Sequence, residues 1–210
     1  MVRFTGRSDG DVGRAGEALD VDRRRRAVID RPWRWVHQVH GNSVVWASSD
    51  QARSADADAL ITDDPAVAIA VFTADCAPVA LASPEGVIAA VHAGWRGVRA
   101  GVLEAAAAAL RASGASSILG ALGPCIRPCC YEFSEADLAG LVHRYGEGIR
   151  GATRDGRLAL DLPAAVTEAL AAAEVDLVYN AGACTSCTPG YFSHRARSDS
   201  KRQAGVVWLP

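Results

Sequence analysis

Val67-Ala68-Ile69-Ala70-Val71-Phe72-Thr73-Ala74-Asp75-Cys76 is the stretch on which the fold turns. Its uncharged run over 67–73 predicts a buried strand, and the run stops abruptly at Ala74-Asp75-Cys76, where polar, reactive groups replace apolar ones. Downstream, turn chemistry at Ser83-Pro84-Glu85-Gly86 leads into a second apolar run, Val87 to Val91, which closes on His92-Ala93-Gly94-Trp95. Upstream, Trp33 to Val39 and Ser43 to Ala47 have β character. Between them, His40-Gly41-Asn42 predicts a hairpin with His40 at its tip or mouth.

The segments further along are mostly helical. Val98, Val102, Ala105, Ala106 and Ala109 recur at helical spacing, and Gly114 supplies a stop. Ser134 with Asp137 resembles a capping box for a helix with Leu138, Leu141, Val142 and Tyr145 on one side. Another helix is expected from about Pro163, with Val166 and Leu170 inward. Strands are expected at Ile118 to Leu122, Leu177 to Asn180 and Gly205 to Leu209. Strands and helices interleave without a strict βαβ repeat. The expected class is therefore α+β, with mixed β-sheets and helices packed outside them.

The chain has 210 residues, 50% hydrophobic and 22% charged, with no composition break, so one domain over residues 1–210 is expected. A formal net charge of −2 gives no global attraction to nucleic acid or to an anionic membrane, and neither is expected as a partner. The basic run Arg23 to Arg26 reads as the solvated face of a short helix. No apolar stretch is long enough to span a bilayer, and the N-terminal residues lack a signal-peptide core, so a cytoplasmic protein is expected. In that compartment the six cysteines are expected to be thiols, metal ligands or catalytic groups rather than disulfides.

Reactive residues concentrate at the ends of apolar strands. His40, Cys76 and His92 each follow or close such a run, beside small residues that let the backbone turn. Two imidazoles and one thiolate suit a catalytic zinc with an open fourth position, which would lower the pKa of a bound water to about 7. His37 and His143 read instead as structural or solvent-facing. Cys184 and Cys187 form a CxxC pair that can bind zinc or cycle as a dithiol. A structural zinc would need two more donors, and Cys129 and Cys130 are adjacent rather than spaced for chelation, so reduced, partly buried thiols are expected. Arg96, four residues past His92, and Arg195, next to His194, are the cations suited to an anionic or phosphate-bearing substrate. Gln38, Asn42 and Cys129 are the further candidate substrate contacts.

Six motifs occur in order: Gln38-Val39-His40-Gly41, Asp58-Ala59-Leu60-Ile61-Thr62, Thr73-Ala74-Asp75-Cys76, His92-Ala93-Gly94-Trp95-Arg96-Gly97, Gly123-Pro124 with Cys129-Cys130-Tyr131-Glu132, and Cys184-Thr185 followed by Phe192-Ser193. Together they resemble the laccase-domain family, also called the multicopper polyphenol oxidase family, the YfiH-like purine nucleoside phosphorylases or the peptidoglycan editing factors. The resemblance spans about residues 33 to 210. It implies one metal held by His40, Cys76 and His92, zinc in the first place and copper as an option. The chain departs from the family before residue 33, which is shorter than usual, and at Tyr191-Phe192-Ser193-His194-Arg195, where His194 stands in the place of a tyrosine.

The resemblance implies purine nucleoside phosphorolysis, adenosine deamination or cleavage of methylthioadenosine. Asp75 or His194 would carry protons, and Arg96 and Arg195 would hold phosphate. The HxE…PCxxC pattern of nucleobase deaminases is absent, so deamination would be an independent solution. An alternative is a zinc amidase that removes L-serine from a nucleotide-linked peptidoglycan precursor. Others are a cysteine hydrolase with Cys76 as nucleophile and His92 as base, and a non-enzymatic metal-carrying protein. A multicopper cluster is excluded by a chain with five histidines and one methionine, although oxidase activity with a single bound copper would suit this ligand set. The expected partner is a small molecule, a purine nucleoside with phosphate or a nucleotide-linked muropeptide, and a monomer is favoured.

Overall fold

The computed structural model describes residues 1–13, 18–47 and 55–210. Its strands are β1 (Val2–Phe4), β2 (Trp33–Arg34), β3 (Val44–Trp46), β4 (Ala59–Thr62), β5 (Ala68–Thr73), β6 (Ala77–Ala82), β7 (Ile88–Ala93), β8 (Leu119–Leu122), β9 (Arg150–Ala152), β10 (Leu158–Leu160), β11 (Asp176–Asn180) and β12 (Gln203–Val207). The α-helices are α1 (Ala18–Val28), α2 (Trp95–Ala100), α3 (Val102–Ala112), α4 (Glu135–Tyr145), α5 (Leu162–Ala172) and α6 (His194–Arg197). One sheet has the order β1-β12-β5-β2 and a second β11-β8-β6-β7-β4-β3, with β9 and β10 as a separate ribbon. Parallel and antiparallel pairs coexist in both larger sheets, so the mixed α+β architecture is as expected.

Period-two alternation builds the layers. In β5, Ile69 and Val71 meet Leu60, Ile88, Ala90 and Val207 in a core between the two sheets. Ala68 and Ala70 face the other way, with Trp33, Ala204 and Val206. On the far side of the six-stranded sheet, Val79, Leu81, Ala89 and Val91 pack against apolar residues of α2, α3, α4 and α5. Two sheets thus lie face to face, with helices α2 to α5 outside the larger one.

Several local expectations meet their elements. Ser134 caps α4, its Oγ accepting from the Asp137 N–H and donating to the Asp137 carboxylate, with Leu138, Leu141 and Tyr145 buried below. Val166 and Leu170 are buried on α5. The predicted helix through Val98 and Ala109 is in fact two, because Gly101 adopts a left-handed φ of +88° that breaks the helical path. The buried side of α3 accordingly becomes Val102, Leu103, Ala106, Ala107 and Leu110.

The hairpin around His40 does not form. β2 pairs with β5 in the smaller sheet and β3 with β4 in the larger, so residues 35–43 cross between sheets instead of folding back. The basic run also differs from a purely solvated face. Arg23 and Arg24 pair with Asp20 and Arg26 with Asp22, but Arg25 turns inward, donating to the Val12 and Gly13 carbonyls and lying 4.2 Å over the Trp35 ring. Among the described residues no helix is long and apolar enough to cross a membrane.

Candidate active site

Among the described residues the chain passes between the two sheets at four places: 35–43, between β2 and β3; 63–67, between β4 and β5; 74–76, between β5 and β6; and 181–202, between β11 and β12. His40, Cys76 and His194 lie on three of these crossings. His92 is the fourth contributor, inside β7, where alternation puts it on the same face as Ile88 and Ala90, toward the other sheet. The register sets Ala59 opposite Val91, so Asp58, just before β4, meets His92, and the His92 N–H donates to the Asp58 carbonyl at 2.7 Å.

The potential ligand atoms of His40, Cys76 and His92 all lie within 4.8 Å of one another. Cys76 Sγ is 3.8 Å from His40 Nε2, and the two imidazole rings meet edge to face at 4.8 Å between centroids. Asp58 organises the group. Its Oδ1 is 2.7 Å from His92 Nδ1, and its carboxylate accepts N–H bonds from Val39, His40 and Gly41 at 3.2, 2.9 and 2.6 Å. With so many donors aimed at it, the carboxylate stays ionised and acceptor-only. Burial pushes its pKa up, but the His92 and backbone hydrogen bonds more than offset that and hold it below the usual range. His92 Nδ1 must then carry the proton, leaving Nε2 as the nitrogen that faces Cys76 and His40.

Electrostatics couples the thiol and the imidazole. Burial alone would raise the Cys76 thiol, but the charge of His92 and hydrogen bonds from His40 and His92 bring it down to about 6. Burial likewise lowers His92, and Cys76 and Asp58 together raise it to about 9. The pair therefore favours a thiolate, the form that binds a soft or borderline metal. Gly94 completes the cradle. A Cβ there would come within 2.8 Å of His40 Cδ2 and 3.1 Å of Cys76 Sγ, so only glycine lets the backbone approach this closely. His40 and Asp75 both take positive φ, +62° and +116°, an outlier conformation of the kind that clusters at functional sites.

A cavity of about 580 Å³ opens over these groups, and His40, Cys76, His92, Thr73, His194 and Arg202 help to line it. Thr73 Oγ1 is buried with no hydrogen-bond partner among the described residues. The other expected site residues are more dispersed. Both Asp75 oxygens are taken: Oδ1 accepts from Thr185 Oγ1 and Oδ2 from the Arg195 N–H, each at 2.7 Å. Gln38 borders the cavity, but its amide exchanges two 2.8 Å bonds with the Phe72 backbone. Asn42 donates to the Ala100 carbonyl, and Cys129 belongs to a separate group of thiols. Arg96 is exposed and stacks at 4.4 Å over Trp95. The Arg195 guanidinium lies 5.1 Å over Tyr131. Burial pushes the Tyr131 phenol up; Cys76 and Asp75 add to this, while Arg195 and Arg96 oppose it, so this ring lies at the junction of thiol and cations.

Asp58, Thr73, Tyr131 and Arg202 are site residues that single-position reading misses. Asp58 had a signal, since its parity with Leu60 sets it on the inter-sheet face. His143 is exposed on α4, as expected, whereas His37, exposed and paired with Asp56 at 2.7 Å, also borders the cavity. All six cysteines are free thiols, as expected. The adjacency of Cys129 and Cys130 does not keep them apart from the CxxC pair. Their sulfurs and those of Cys184 and Cys187 lie within 4.8 Å of one another.

Residues 11–210 match the model of the family described as multi-copper polyphenol oxidoreductase laccase. A Streptomyces griseus protein named purine nucleoside phosphorylase ORF3 is 40% identical over 186 residues, covering 83% of this chain and 73% of its own. A Pseudomonas aeruginosa protein named purine nucleoside phosphorylase PA4543 is 37% identical over 199 residues, covering 91% of this chain and 81% of its own. Among solved structures, Neisseria meningitidis NMB0706 superposes with a TM-score of 0.83 at 29% identity, over 95% of this chain and 86% of that one. Bacillus licheniformis YfiH superposes with a TM-score of 0.87 at 22% identity, over all of this chain and 92% of that one, a likeness of fold.

Proposed function

From the premise that this chain belongs to the multi-copper polyphenol oxidoreductase laccase family, we propose that it is a zinc-dependent, cytoplasmic purine nucleoside phosphorylase with adenosine deaminase activity at the same centre. The observation that carries the reading is the convergence of His40, Cys76 and His92 at the wall of a cavity of about 580 Å³, a volume suited to a nucleoside-sized ligand. The names of the relatives support the substrate class.

The donor set fits a zinc ion with an open position: two imidazoles, one thiol biased toward thiolate, and a carboxylate that fixes the tautomer of His92. Bound there, the metal would supply Lewis-acid polarisation of a substrate oxygen or of water. The chain's own groups do the rest. Arg195, over the Tyr131 ring, and Arg96, which acts electrostatically on the same phenol, hold phosphate, and Arg202 in the cavity wall adds a third cation. A phosphate oxygen attacks ribose C1′ as the bond from C1′ to the purine nitrogen breaks, and the bond's electron pair leaves on the purine. His194, which borders the cavity, delivers the proton that neutralises it. Asp75 acts as a positioning residue: it ties the Arg195 backbone and Thr185 to the turn that carries Cys76. Thr73 Oγ1, with no partner among the described residues, donates to the nucleoside.

The test is to incubate the zinc-loaded protein with adenosine, with and without phosphate, and separately with the L-serine-containing nucleotide-linked precursor. Products are identified by mass spectrometry. Phosphate-dependent adenine and ribose phosphate, with some inosine, are expected. Serine release alone would replace this reading with the amidase one.

A further inference from the structure

Outside that cavity the fold assembles four sulfurs for which the reaction has no use. The reason lies in the sheet. β8 and β11 are parallel neighbours at the edge of the six-stranded sheet, with Asn180 opposite Leu122, so the loops that leave them start side by side. A parallel backbone β-bridge between Cys125 and Cys184 extends the pairing past the strand ends. A 3-10 turn at Pro128–Cys130 then presents Cys129 and Cys130 to the turn holding Cys184 and Cys187. Cys129 Sγ is 3.8 Å from Cys130 Sγ and 3.5 Å from Cys187 Sγ, Cys130 and Cys187 are 3.1 Å apart, and all four sulfurs lie within 4.8 Å of one another.

These separations bracket those of a tetrahedron of sulfurs round one ion. A zinc–sulfur bond of ~2.3 Å places tetrahedral ligands roughly 3.8 Å apart. A cation borders the cluster. The Arg154 guanidinium donates to Cys187 Sγ at 3.0 Å. Cys184 is buried and the other three are partly so, packed at the margin of the main core.

We propose that Cys129, Cys130, Cys184 and Cys187 bind a structural zinc ion, separate from the site at His40, Cys76 and His92. Binding exchanges four thiol protons for one Zn²⁺, with no change of oxidation state. The resulting dianionic centre is offset by Arg154. It closes coordination with sulfur and leaves no position for substrate. Its work is mechanical. It clamps the loop after β8 to the loop after β11, and Thr185, inside the second loop, holds Asp75 beside Cys76. The clamp thereby fixes the platform of the active site without touching it.

The test uses the full chain purified under reducing conditions with added zinc, its metal counted by elemental analysis. Two equivalents per chain are expected in the wild type and one in each of Cys184→Ser, Cys187→Ser and Cys76→Ala. A wild-type count retained in both serine variants overturns the proposal. Should the serine variants fail to fold, cobalt(II) replaces zinc in Cys76→Ala. Intense sulfur-to-cobalt charge-transfer absorption is expected there, and its absence overturns the proposal. Non-reducing mass spectrometry that finds Cys130 and Cys187 linked in the zinc-replete chain also overturns it. A failed phosphorylase assay leaves these readouts unchanged, so the two proposals stand or fall separately.

Discussion

Two clusters of soft and borderline ligands sit in this molecule, and they differ in how the chain reaches them. His40, Cys76 and His92 come from crossings between sheets and from a strand face, and they border an open cavity. Cys129, Cys130, Cys184 and Cys187 come from two loops that leave parallel neighbours at one sheet end, and they pack at the margin of the core. The first set has three donors of mixed type, the second four of one type. On the roles proposed for them, openness, more than ligand identity, separates a centre suited to a substrate from one suited to holding loops together.

The largest effect expected from breaking this contrast is at Cys76. Cys76→Ala is expected to lower kcat/KM for adenosine by roughly three orders of magnitude, ~4 kcal/mol of barrier, while the thiol cluster keeps its metal. Steady-state kinetics paired with metal analysis checks both halves, and an active variant would strip the first site of its role. Next comes Asp58→Asn, which removes the charge that fixes the tautomer of His92. Zinc affinity at the first site should fall about 10–100-fold in a chelator competition, with the sulfur site unmoved. Unchanged affinity would reduce Asp58 to a backbone anchor.

A smaller effect is expected on the substrate side. Arg195→Ala should raise the KM for phosphate by about tenfold, equivalent to ~1.4 kcal/mol, with less change in the KM for nucleoside. Equal changes in both constants would mean that Arg195 does not hold phosphate. The smallest change sharpens the cavity itself. Thr73→Val replaces a buried hydroxyl that has no partner among the described residues. The melting temperature should hold or rise while the KM for nucleoside rises about threefold, the worth of one neutral hydrogen bond. A lower melting temperature with unchanged KM would show that the hydroxyl serves the fold alone.

Much of the scaffold was legible in the sequence. The apolar runs ending at Thr73 and Val91, the cap at Ser134, and the inward residues of α4 and α5 all follow from local periodicity and side-chain chemistry. The crossing at His40 resembles a hairpin in sequence because turn residues such as Gly41 and Asn42 look the same in a reversal and in a crossing between sheets. The break at Gly101 is not legible because a glycine within an alanine-rich helical pattern gives no sign of its φ. Among the site residues, His40, Cys76 and His92 were visible as reactive groups at strand ends. Thr73 stands in the Thr73-Ala74-Asp75-Cys76 motif, but its hydroxyl gives no sign of facing a cavity, and nothing near Arg202 marks it as lining one.

The sequence by itself determined the chemistry that is possible here: two imidazoles and a thiol beside small residues, four further cysteines in two pairs, and a strand-and-helix pattern of the mixed class. Tertiary structure decided which of these groups meet. Alternation and the register of β4 on β7 aim Asp58 at His92, and the pairing of β8 with β11 brings adjacent and spaced cysteines into one cluster. Local propensity can choose a strand or a helix, but it carries no information about which strands become neighbours. Burial across the whole chain selects those partners, and they set the distances on which ligand binding depends.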